Sequence, residues 1–121
     1  MAFFEDLEVW QDAKTLTLSI YQIMRDNRDY GFRDQIQRAS VSIMNNIAEG
    51  SESGSGATNI RFLQIAKGSC AEVRSMLYIC TELGYCTQER QAYLLALSQK
   101  ISAYLNRLIA YNKTRQTDNK H

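Results

Sequence analysis

Two polar constellations in this sequence have a spacing that could do chemistry. The first is Arg38, Asn45, Asn46 and Glu49, within the stretch from Ile36 to Gly50. Asn45 and Glu49 stand four residues apart, and Arg38 and Asn45 seven, so on a helix the three share one stripe. Catalysis would need an acid beside a base or a nucleophile, and the stripe supplies no such pair. It reads instead as a polar network fixing helix register or a subunit contact, with Arg38 pairing Glu49 or Glu72. The second constellation is Lys100, Tyr104, Arg107 and Tyr111, at spacings of 4, 3 and 4. Cations interleaved with aromatic rings along one helix edge can meet phosphates and stack on bases. The plainer alternative puts the tyrosines in the core, with the long cations lying over its rim. With Arg90, Lys113, Arg115 and Lys120 added, the C-terminal half is the best nucleic-acid candidate in the chain.

Other chemistries find less to work with. Cys70, Cys80 and Cys86 form an odd set without a Cys-x-x-Cys spacing, which predicts buried reduced thiols rather than disulfides or a metal site. His121 is the single histidine and lies at the extreme C-terminus, so the usual general base and commonest zinc ligand are lacking. The Gly-rich segment Ser51 to Gly56 has no preceding strand and no Lys-Ser/Thr pair, and it carries Glu52, which would repel a phosphate. The expectation is a protein without catalytic residues, metal or cofactor.

The elements that must carry these residues are helical. The chain has 121 residues, 45% hydrophobic and 22% charged, with no proline, which suits one domain of long helices joined by short turns. No apolar run approaches the roughly 20 residues needed to span a bilayer. The N-terminus has neither a basic region nor a cleavable apolar core, so a cytoplasmic protein is expected. Net charge is +1, but Glu5, Asp6, Glu8 and Asp12 make an acidic start and the cations from Arg90 onward a basic finish.

Helix 1 is predicted from Phe4 or Glu5 to Arg25, with Val9, Ala13, Leu16, Ile20 and Ile23 as its seam. Helix 2 runs from Phe32 to Glu49, with Gly50 as C-cap and residues 51–56 as a flexible connector. Helix 3 runs from Ala57 or Thr58 to Leu83, its seam Phe62, Ala66, Ser69, Val73, Met76, Cys80 and Leu83, with Gly84 as the stop. Gly68 inside it costs about 1 kcal/mol relative to alanine and predicts a close backbone approach there. Thr87 is the expected N-cap of helix 4, which frays near Asn112. The result is an all-α, up-down-up-down antiparallel four-helix bundle over residues 1–112, followed by a polar, disordered tail over 113–121. Helix 2 carries two apolar stripes. Ile36, Ala39 or Ser40, Ile43 and Ile47 suit the bundle core, while Val41, Met44 and Ala48 predict a subunit interface and hence a homo-oligomer.

Three segments, Phe4 to Ala13, Gln35 to Gly50 and Phe62 to Glu72, resemble in sequence, order and spacing the signatures of four-helix bundle proteins encoded by intervening sequences in bacterial 23S ribosomal RNA genes. The resemblance covers roughly residues 3 to 111. Such proteins are similar to the accessory variability protein of diversity-generating retroelements. That likeness implies a homopentamer and, for that relative, binding of structured RNA and of a reverse transcriptase as protein partner. It implies no enzymatic activity. The family often carries Arg or Lys after the Ala-Glu-Gly motif, where this chain has Ser51 to Gly56, with Arg61 the first cation.

Overall fold

The computed structural model describes residues 3–54 and 56–118, with side chains through Gln116. A short 3-10 turn, Phe4–Asp6, precedes four helices: α1 (Glu8–Met24), α2 (Tyr30–Ser53), α3 (Gly56–Cys80) and α4 (Gln88–Asp118). They pack in a ring, α1 on α2, α2 on α3, α3 on α4, and α4 back on α1; the α2–α3 contact is the most extensive and the α1–α4 contact the least. This is the expected all-α antiparallel bundle. No helix among the described residues is long and apolar enough to cross a membrane.

Local chemistry sets the ends of the helices. Asp29 caps α2, its carboxylate accepting from the Phe32 N–H at 3.3 Å, and Thr87 caps α4, its hydroxyl accepting from the Arg90 N–H at 3.1 Å. At the end of α3, the Tyr85 N–H reaches the Cys80 carbonyl at 2.8 Å and the Gly84 N–H reaches that of Thr81 at 3.0 Å. That is the Schellman pattern, and it requires the left-handed φ of +75° that Gly84 adopts.

The core is a column of side chains with essentially no exposure. Leu16, Ile20 and Met24 come from α1, Ile36, Ile43 and Ile47 from α2, Leu63, Val73 and Leu77 from α3, and Leu94, Ile101 and Leu105 from α4. Each such burial contributes about 1.5–3 kcal/mol, so packing rather than helix propensity holds the elements. Cys70 and Cys80 are buried in this column and Cys86 is half-buried, all as free thiols. Burial pushes the Cys70 thiol up to about 11 and that of Cys80 up to about 12, which leaves both protonated and unreactive at neutral pH.

The structure departs from the sequence reading in four places. Helix α2 begins at Tyr30 and continues through Gly50 to Ser53, so Gly54, at φ +70°, is the C-cap and the connector shrinks to residues 54–55. Gly50 is instead the close approach between helices: a Cβ there would lie 3.3 Å from the Phe62 Cβ and 3.5 Å from the Asn59 carbonyl oxygen. Its own carbonyl accepts from Asn59 Nδ2 at 2.6 Å. Gly68, where the approach was expected, faces open space.

The seam of α3 is also rotated from the expected one. Ile60, Leu63, Ala66, Cys70, Val73, Leu77 and Cys80 are buried, while Phe62, Ser69 and Met76 are half-buried on the flank toward α2 and Leu83 is exposed beyond the helix end. Finally, α4 runs past Asn112 to Asp118. Contacts with the start of α3 support the extension, because Asn112 Nδ2 donates to Asn59 Oδ1 and Gln116 packs on Gly56. The rest of the expected tail, including Lys120 and His121, lies outside the described residues.

Candidate nucleic-acid interface

Helix α1 is shorter than α4, and this mismatch shapes the most distinctive surface of the bundle. The start of α1 is level with Lys100, whose ammonium donates to Glu8 Oε1 at 3.0 Å and pairs with Asp12 Oδ2 at 3.1 Å. From there α4 continues for roughly 27 Å at 1.5 Å per residue. Its far side stays covered by α3 up to Gln116, but the edge that would face α1 has outrun that helix.

On this edge Tyr104, Arg107, Leu108 and Tyr111 line a shallow depression of about 220 Å³. The Arg107 guanidinium lies 5.7 Å from the centre of the Tyr104 ring, and Arg115 repeats the arrangement over Tyr111 at 5.7 Å. Tyr104 and Leu108 are half-buried against the core, whereas Tyr111 is 59% exposed. Neither Arg107 nor Arg115 forms an ion pair among the described residues. Two guanidiniums held against two rings, with no carboxylate answering them, can offer cation and stacking surface together.

The remaining cations of the C-terminal half are placed differently. Donating to Glu8, then to Asp12, raises the Lys100 pKa, so this charge is already answered within the fold. Arg90 sits at the other end of α4, where Nη2 donates to Gln22 Oε1 at 3.5 Å. Lys113 lies on a different face of α4 from Arg107 and Tyr111 and has an interaction of its own within the structure. The geometry therefore joins Tyr104, Arg107, Tyr111 and Arg115, and separates Arg90, Lys100 and Lys113 from them.

The polar stripe of α2 borders a groove of about 550 Å³ between α2 and α3. Ser42 Oγ meets Ser69 Oγ at 2.8 Å, Asn46 Nδ2 donates to the Ser42 carbonyl at 2.8 Å, and Gln35 Nε2 donates to Glu72 Oε2 at 3.0 Å. Asn46 and Glu72 thus belong to a network across the helix pair. Arg38 lines the same groove but pairs with neither Glu49 nor Glu72, because Gln35 holds Glu72 and Glu49 lies three turns further along α2. Asn45 and Glu49 face solvent. Val41, Met44 and Ala48 are each partly exposed on the other flank of α2, with Met44 also packed on the core.

Sequence reasoning passed over one cluster. Arg25, Arg28 and Arg33 line a depression of about 260 Å³ at the α1–α2 turn. Three arginines within nine positions was the available signal, hidden because the segment between Asp26 and Gly31 reads as turn chemistry. Among the described residues no group of three or more His, Cys, Asp or Glu side chains converges as metal ligands would.

A core with buried free thiols, a short α2–α3 connection and an α4 that outruns α1 define a small four-helix bundle. The profile of the 23S rRNA-intervening sequence proteins matches residues 5–107, and the chain belongs to that family. Its fold is similar to the crystal structure of a Bacteroides thetaiotaomicron protein of unknown function from the S23 ribosomal protein family. The two are 25% identical, with a TM-score of 0.77, over 84% of this chain and 97% of that one. No curated protein matches the chain.

Proposed function

We propose that the chain is a non-enzymatic, cytoplasmic, oligomeric bundle that contacts structured RNA through the edge of α4 formed by Tyr104, Arg107, Tyr111 and Arg115. The observation that carries this reading is the repeated guanidinium-on-tyrosine arrangement where α4 has outrun α1. Phosphates supply most of the affinity of such contacts, and exposed rings add stacking that tolerates any base. Copies join, as a homopentamer by family likeness, through the Val41, Met44 and Ala48 flank of α2. Assembly presents the α4 edge several times over, so that a weak contact gains by multivalency.

A second reading, a scaffold that binds a protein partner and no nucleic acid, is favoured by a different surface. Ile65 and Ile79 on α3, and Leu83 just beyond its end, are exposed, more than 40% each, and would suit an apolar partner face. Retention of the full chain on heparin or ribosomal RNA fragments separates the two readings. RNA binding predicts retention at about 50 mM salt and steep loss as salt rises, whereas elution without retention at that salt would remove the first reading.

A further inference from the structure

We propose that the α1–α2 turn holds a phosphate-type oxyanion in the depression lined by Arg25, Arg28 and Arg33. This site lies at the end of the bundle away from Tyr111 and Arg115, so it does not rest on the α4 reading.

Three guanidiniums and one carboxylate, that of Asp26, line the depression. Like charges gathered in a small space repel one another, so such a cluster calls for an anion to neutralise it. Arg33 is fixed more firmly than a surface arginine. Its guanidinium lies 4.7 Å from the centre of the Tyr30 ring, and Nη1 donates to the Asn27 carbonyl at 3.4 Å. Its Nε is buried and has no hydrogen-bond partner. The nearest carboxylate, Asp34 Oδ1, stands 3.6 Å away, outside hydrogen-bond reach. A buried donor left unmade is costly, and native structures seldom keep one without a reason. Arg25 and Arg28 are exposed and make no hydrogen bond or ion pair through their side chains among the described residues, so both are available to close on a ligand.

The chemistry selects the class of ligand. Asp29, the other carboxylate of the turn, is taken up by the Tyr85 hydroxyl at 2.6 Å and the Phe32 N–H. A tetrahedral oxyanion carries enough acceptor oxygens for three planar forks, whereas a carboxylate has two. At about 260 Å³ the depression is smaller than pockets that enclose a whole small molecule, roughly 300–1,000 Å³, and suits a phosphoryl group held at the surface. Free phosphate and the phosphates of a polynucleotide backbone share this chemistry.

The test is NMR of the arginine Nε–H groups of the full chain at low ionic strength, with inorganic phosphate and a short RNA oligonucleotide as probes. Phosphate should shift the Arg33 Nε–H resonance saturably. Arg28→Gln should weaken the effect about tenfold and Arg25→Gln/Arg28→Gln further, with amide spectra showing the fold intact. Asp34→Asn should strengthen it, and Arg107→Gln/Arg115→Gln should leave it unchanged. If the oligonucleotide moves the same resonance, the site reads backbone phosphate; if only inorganic phosphate does, it reads the free ion. No shift with either probe, a shift that chloride reproduces at equal ionic strength, or a response indifferent to Arg25 and Arg28 would overturn the proposal.

Discussion

The closeness of α2 and α3 makes opposite predictions for two glycine-to-alanine changes. Both Gly50 and Gly68 lie inside helices, with no positive φ to forbid a side chain. Helix propensity alone therefore favours alanine at each by about 1 kcal/mol. At Gly68 nothing lies within 4 Å of the new methyl, so Gly68→Ala should realise that gain. At Gly50 the methyl would stand 3.3 Å from the Phe62 Cβ, an atom fixed to the α3 backbone, and 3.5 Å from the Asn59 carbonyl oxygen. Relief requires the helices to part, stretching the 2.6 Å bond from Asn59 Nδ2 to the Gly50 carbonyl. Overpacking of this kind costs about 1–3 kcal/mol, which outweighs the propensity gain and leaves Gly50→Ala destabilised by about 1 kcal/mol. The two variants should then differ by about 2 kcal/mol, or roughly 1 M in urea midpoint at an unchanged slope. Urea unfolding followed by circular dichroism at one fixed protein concentration measures this, with concentration held so that any self-association weighs equally on both variants. Equal stabilisation by both substitutions would refute the close approach of α2 and α3 at Gly50.

Tyr85→Phe should let the Asp29 carboxyl, held low by the Tyr85 hydrogen bond and then by the Phe32 N–H, titrate nearer its ordinary 3.8 in a carboxyl NMR titration. Because the folded value is depressed, the stability advantage over Tyr85→Phe should be present above pH 3.8 and fade as pH falls through the lower folded value. The Tyr85 pKa is raised by the same bond, so the advantage should also fade in strong alkali. On the proposed assembly through α2, Val41→Asp or Met44→Asp should yield monomers in sedimentation while keeping helical content, whereas Ile43→Asp, at a position with no exposure, should unfold the bundle by leaving a charge in the core. Equal unfolding by both classes would show that the two faces of α2 are misassigned. In a salt series of RNA binding, Arg107→Gln and Arg115→Gln should each flatten the log–log slope by about 0.7–0.9, and Lys100→Gln should not, since Glu8 and Asp12 already answer that charge. A change with Lys100→Gln as large as with Arg107→Gln would contradict the assignment.

Helix number, one stop and one start were legible in the sequence because they rest on local chemistry. Gly84 and Thr87 act through neighbours within five residues, and the structure uses both as read. The seam of α3 was harder. Phe62, Ser69 and Met76 lie one position from Leu63, Cys70 and Leu77, so two apolar stripes about 100° apart fit the same periodicity, and only the partners choose between them. The close approach expected at Gly68 fell to Gly50 for a similar reason: a glycine announces permission for closeness, and the neighbouring helix decides where it is used. The length of α4 was hidden because its last turns are polar, their support coming from the start of α3 through Asn59 and Gly56.

The candidate site followed the same division. The acidic start and basic finish were plain, and in an antiparallel ring they put Glu8 and Asp12 beside Lys100. The protruding α4 edge was not legible, because it depends on the relative lengths of two helices far apart in the chain.

The thin junction between α1 and α4 has a kinetic consequence. It joins the two ends of the chain, so closing it restrains the longest loop in the molecule for the smallest return in packing. The α2–α3 hairpin, with its two-residue link and dense contact, can assemble while that junction is still open. In native-state hydrogen exchange the first helix should therefore loosen as a unit before the central pair does, and raising ionic strength should hasten it by screening Lys100 from its two carboxylates.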